Sequence, residues 1–171
     1  MINDHAIRAA GLIGTFLLLP CASHSGNMSQ SVEVVAFIEP EISLSVRPAT
    51  GERIDFGRVP SGDSGMRYSR PVDVEVEVFS NLGRPYDVTQ HLRRPMSNRD
   101  GARIPEGHLI VGPAQQQVSP ETFVGKSADQ LQVIMQSDHS DRQTVSYQLR
   151  VPPRQSPGRY AGTVVMTVTA R

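Results

Sequence analysis

From Val32 onward the apolar positions recur at every second residue rather than every third or fourth. The clearest run follows Pro71: Val72, Val74, Val76 and Val78 fall on one face of a strand, and Asp73, Glu75 and Glu77 fall on the other. A slip of one residue would carry the carboxylates into the core, so register is strongly specified here. Val145, Tyr147, Leu149 and Val151 alternate in the same way with Ser146, Gln148 and Arg150, until Pro152-Pro153 stops the run. Pro157-Gly158 then turns the chain into a closing strand over 160–170, in which Val164, Met166 and Val168 alternate with Thr163, Thr167 and Thr169.

Weaker signals fill the intervals. Strands are predicted at Val32–Ile38 (a mixed pattern), Ile42–Val46, Ile54–Gly57, Tyr86–Thr89 and Leu131–Met135, with a short edge strand within Ile104–Val111. Turns or loops are predicted at 48–51, 60–65, 81–83, 93–101, 112–129 and 137–141, where Gly, Pro, Asn, Asp and Ser gather. A helix-period apolar stripe is absent from 26–171. The pattern predicts an all-β fold, an immunoglobulin-like Greek-key β-sandwich of about eight or nine strands. It occupies 26–171 as a single domain, with 26–38 as an N-terminal extension or first strand.

The start of the chain reads differently. Arg8 precedes the apolar run Ala9–Leu19, Pro20 breaks it, and Ala22, Ser23, Ser25 and Gly26 follow. This is the layout of a cleavable signal peptide over 1–25, although Asp4 is an unusual acid for the leading region. Cys21 is the only cysteine. The box Leu18-Leu19-Pro20-Cys21 resembles that of a lipid-anchored bacterial lipoprotein, but Pro directly before Cys fits it poorly. Cleavage after Ser23 or Ser25, removing Cys21 with the leader, is the preferred reading. The exported domain then has no disulfide and depends on its core. An extracytoplasmic location is expected: periplasm, cell surface or secreted.

Charge narrows the partners. Seventeen basic and seventeen acidic side chains balance and are interspersed. Without a long basic run, nucleic acid is not an expected partner. No second apolar segment is long enough to cross a membrane. Trp is absent, which removes the usual aromatic platform for carbohydrate.

Candidate chemistry is sparse. Gly62-Asp63-Ser64-Gly65 resembles the nucleophile motif of chymotrypsin-like proteases, but the only upstream histidines are His5 and His24, in or beside the leader. An ordinary turn is the stronger reading. In Ser137-Asp138-His139-Ser140-Asp141 a histidine stands between two aspartates, yet neighbours on a turn seldom converge on one metal or one proton. His91 and His108 have no ligand spacing. Asp73, Glu75 and Glu77 form an acidic ladder that would need help from another strand or loop to hold Ca²⁺; a wetted face paired to basic neighbours is preferred. Asn27-Met28-Ser29 fits the glycosylation tripeptide, which has no meaning in a bacterial chain. No enzyme, metal or cofactor is predicted.

Four stretches together resemble bacterial exported pilin-type domains, and those of spore coat protein U-like and fimbrial subunits. They are Ile54-Asp55-Phe56-Gly57-Arg58-Val59, the valine strand ending Val78-Phe79-Ser80-Asn81, Pro85-Tyr86-Asp87-Val88, and Pro157-Gly158-Arg159-Tyr160-Ala161-Gly162-Thr163-Val164. The likeness spans most of 32–171, and the cysteine pair typical of the coat-protein domains is missing. It implies a non-enzymatic structural or adhesive subunit, in which a segment of one copy completes the sheet of another. Two segments suit that role: residues 27–38, with Val32, Val34, Ala36 and Ile38 as anchors, and the closing strand 160–170. Pairing of both within their own domain is the preferred expectation, since edges are normally protected. The alternative function is a binding module whose loops 91–107 and 112–129 recognise a ligand.

Overall fold

The computed structural model describes residues 32–114 and 119–171. The expected leader, Cys21 and the Asn27-Met28-Ser29 tripeptide lie outside the described residues. The body of the fold is Ile38–Arg171. Its strands are β1 (Ile42–Pro48), β2 (Arg67–Tyr68), β3 (Val72–Ser80), β4 (Tyr86–Ser97), β5 (Leu109–Pro113), β6 (Lys126–Ser127), β7 (Gln132–Ser137), β8 (Asp141–Val151) and β9 (Ala161–Ala170). The only helical turn among the described residues is a 3-10 turn at Pro120–Thr122. No helix among them is long and apolar enough to cross a membrane.

The strands form two antiparallel sheets. One runs β1-β3-β8-β5-β6, with β2 also on β8; the other runs β7-β4-β9. The valine ladder explains the first sheet. Val74, Val76 and Val78 are at most 1% exposed, and each such side chain contributes about 1.5–3 kcal/mol by leaving water. Val145, Tyr147 and Leu149 of β8 extend the same face, and Tyr86, Val88 and Met135 of the second sheet join them in one core. The Tyr147 hydroxyl donates to Gln90 Oε1 at 3.3 Å, linking β8 to β4 through the interior. Burial pushes that phenol's pKa up, so it stays a neutral donor. The arrangement is a sandwich-like pair of sheets.

Several expectations are corrected. Residues 32–38 form no strand. Ile54–Gly57 forms none either: the Asp55 carboxylate accepts the Gly57 N–H at 2.8 Å, and Gly57 takes φ +65°, so the chain bends where extension was expected. The predicted loop at 93–101 is mostly strand, because β4 continues to Ser97. Pro95 is tolerated there because β7 pairs only with Tyr86–Gln90, and the β4–β9 register shifts between Arg94 and Ser97. The edge strand expected over 104–111 begins only at Leu109 and lies between β8 and β6.

The segment 112–129 is likewise more than a loop. It carries β6 and packs Phe123 and Ala128 to 3% and 0% exposure. As a result β8 is buried on both faces from Val145 to Leu149. Gln148, one of the polar residues that alternate with the apolar face, is 0% exposed and donates to the Pro120 and Ser69 carbonyls. The Ser69 hydroxyl in turn accepts the Leu149 N–H at 2.9 Å.

Candidate functional site

The core is closed unevenly. Along the flank where β1 and β9 approach each other, core-facing side chains are only half-covered. Ile42 and Leu44 of β1 and Val164, Met166 and Val168 of β9 are partly buried, and Val46 is 40% exposed. Their cross-strand partners Val76, Val78 and Val88 are fully covered, so the difference belongs to the flank rather than to residue type. Strand β1 pairs only with β3, and β9 only with β4. Each therefore carries an outer row of N–H and C=O groups that no strand of the body takes up.

Beside this flank lies a groove of about 900 Å³. Leu92 and Met96 of β4, Leu149 and Val151 of β8 and Val164 of β9 line it, and Ile54, Phe56 and Val59 form a wall. Local chemistry shapes that wall. Thr50 Oγ1 donates to the Arg53 carbonyl at 2.6 Å and accepts the Asp55 N–H at 3.2 Å, which keeps 50–57 folded on itself and off the free edge of β1. At the mouth the Tyr160 hydroxyl donates to the Ser156 carbonyl and accepts from Gln155 Nε2, both at 2.7 Å. Gly162 lets β9 lie close on β4: a Cβ there would stand 2.9 Å from the Arg94 carbonyl oxygen and from Met96 Cγ.

Three exposed arginines, Arg53, Arg58 and Arg159, belong to the groove's lining, and none has a carboxylate partner among the described residues. The lining's one carboxylate, Asp55, is turned to the Gly57 N–H. An apolar trough beside an unpaired strand edge suits an extended peptide. The edge supplies main-chain hydrogen bonds and the trough takes alternate side chains.

The chain also holds a segment of that kind. Val32, Val34, Val35, Phe37 and Ile38 are between 81% and 90% exposed. The body takes hold of the chain just after them. Asn81 Nδ2 donates to the Glu39 carbonyl at 2.9 Å, Asn81 Oδ1 accepts the Glu41 N–H at 2.6 Å, and the Asn81 N–H donates to the Glu41 carbonyl at 3.1 Å.

The residues singled out for chemistry do not assemble. Asp63 and Ser64 sit on an exposed bend. His139 and Asp138 pair at 2.7 Å with about three-quarters of each side chain in water. That contact holds the Asp138 carboxyl below its usual pKa and raises that of His139. His91 faces outward opposite Val165, and His108 lies just before β5, where burial and Arg150 lower its pKa. The acidic ladder is paired: Arg47 reaches Glu75 and Glu77, each at 3.5 Å, and Arg142 reaches Glu75 at 3.6 Å and Glu77 at 2.7 Å. Asp73 accepts from the Ser146 hydroxyl. No group of three metal-ligating side chains occurs among the described residues. The groove itself escaped sequence reasoning, although Ile54, Phe56 and Val59 signalled apolar surface outside any clean alternation. No protein-family model matches the chain, and no curated protein matches it.

Proposed function

We propose that the chain is an exported, non-enzymatic structural subunit of a surface assembly, in which residues 32–38 of one copy add a strand to the β9 edge of the next and fill its groove. The observation that carries this reading is the flank. Half-covered core residues, a free edge and an apolar groove lie together, while the same chain exposes a run of five large apolar side chains. Exposed apolar surface of this kind marks an interaction site. The leader-like 1–25 and the likeness to pilin-type domains favour an extracytoplasmic setting. Chain crossings between the sheets, at β3 to β4, β4 to β5, β6 to β7, β7 to β8 and β8 to β9, support a Greek-key sandwich.

Self-completion within one copy is the competing arrangement. The clamp and the groove sit at opposite ends of β1, which runs from the Asn81 clamp at Ile42 to Pro48 beside the groove; an extended 32–38 reaches about as far as that strand, so cross-linking rather than reach separates the two arrangements. A contact between unlike ends of two copies is heterologous and generates an open chain of subunits. A ligand-binding module using 91–107 and 112–129 has less support, because β4 takes up 91–97 of the first and the second turns Phe123 and Ala128 into the interior.

Cysteine cross-linking tests this. The protein lacking residues 1–25, carrying both Val34→Cys and Thr163→Cys, is expected to give a disulfide-linked ladder of multimers on oxidation. Mixing the two single variants should stop at linked pairs. Linked monomers alone, or no linkage, would overturn the reading.

A further inference from the structure

We infer that Glu33 fixes which face of the incoming segment enters the groove, by pairing with the rim formed by Arg53, Arg58 and Arg159. This rests on the strand-addition reading and adds to it the residue that sets register. In an extended segment, Val32, Val34, Ala36 and Ile38 lie on one face, and Glu33, Val35 and Phe37 lie on the other. Both faces are apolar enough to enter a greasy trough, and a one-residue slip exchanges them. The hydrophobic pattern alone leaves register open.

Charge closes it. Between Gly26 and Ile38 the chain carries one ionisable side chain, Glu33. With the Glu33 face inward, a carboxylate would lie among Leu92, Leu149 and Val151 without a partner, at a large desolvation cost. With that face outward, the carboxylate meets a rim of three guanidinium groups that lack carboxylate partners of their own. Arg presents a planar fork to carboxylate, so the contact is directional as well as attractive. A single polar residue in an apolar seam is an established means of fixing register. Glu39 does not serve, because its main chain is already held by Asn81.

The test uses the protein lacking residues 1–25, with Thr163→Cys combined in turn with Val34→Cys, Val35→Cys or Ala36→Cys. With Glu33 intact, one of the three should dominate the intermolecular product. Glu33→Gln should lower that preference about two- to five-fold, the size of an exposed ion pair, and high salt should do the same. Arg53→Gln/Arg58→Gln/Arg159→Gln should match it without moving the thermal midpoint of the monomer. Glu33→Arg should block linkage, and Arg58→Glu should restore it. Intermolecular linkage that keeps the same single preference in Glu33→Gln and in high salt would overturn the role of Glu33 and leave strand addition standing. No intermolecular linkage at any position would sink both.

Discussion

Close approach at single residues decides what covers the central strand β8. Gly112 and Gly125 meet where the chain after the 3-10 turn crosses β5. A Cβ on Gly125 would stand 2.5 Å from the Val111 carbonyl oxygen and 2.7 Å from Ile110 Cγ2, and one on Gly112 would stand 2.4 Å from the Val124 carbonyl oxygen. Neither position has room for a methyl group. Gly125→Ala is therefore expected to lift this segment from β5 and expose the Gln148 layer, costing about 1–3 kcal/mol by overpacking. Urea denaturation followed by fluorescence or circular dichroism measures it. An unchanged midpoint would show that the segment contributes little to the fold.

At the scale of elements, strands with one dry and one wet face were readable in the sequence. Strand β3 is the best case, since its valines and carboxylates separate by face as expected. The same ladder carries a pH dependence. The hydrogen bond from Arg142, with the charges of Arg142 and Arg47, holds the Glu77 carboxyl below its ordinary 4.5. On the outer face of the second sheet the hydrogen bond from Arg171, aided by Gln136, holds Asp87 below its ordinary 3.8. A carboxyl whose pKa is lower in the folded state contributes stability above its unfolded pKa, and that contribution is lost as pH falls through the folded value. Glu77→Gln/Asp87→Asn is expected to lower the thermal midpoint near neutrality and to flatten its fall as the pH drops below about 5, so that variant and parent converge in acid. Equal slopes in variant and parent would show that neither pair matters to folding.

Other elements were legible only in part, for identifiable reasons. Strand β4 outran its apparent end because Pro95 falls where β7 no longer pairs, a fact of long-range register rather than local composition. The Ile54–Gly57 stretch has strand-forming residues, but an aspartate and a glycine two apart turned it. The burial of Gln148 was not legible because nothing local shows that 119–128 will lie across β8. The groove was invisible for the same reason, since it exists only where two edges from different sheets fall on one flank.

At the scale of the whole molecule, the fold is a pair of sheets that covers its core on one flank better than on the other. Lone edges are ordinarily blunted by bulges, charges or covering loops. Here the outer edge of β9 pairs with no strand among the described residues over the stretch beside the groove, and the chain supplies an apolar segment that ends just before the Asn81 clamp at the far end of β1. The central claim is that these two features meet between copies. Hydrogen–deuterium exchange of the protein lacking residues 1–25, followed across a dilution series, tests it most directly. Strand addition predicts that amides of 32–38 and the outward amides of 161–165 become protected together as concentration rises, and lose protection together on dilution. Free exchange in both segments at every concentration, or protection independent of concentration, would contradict the account.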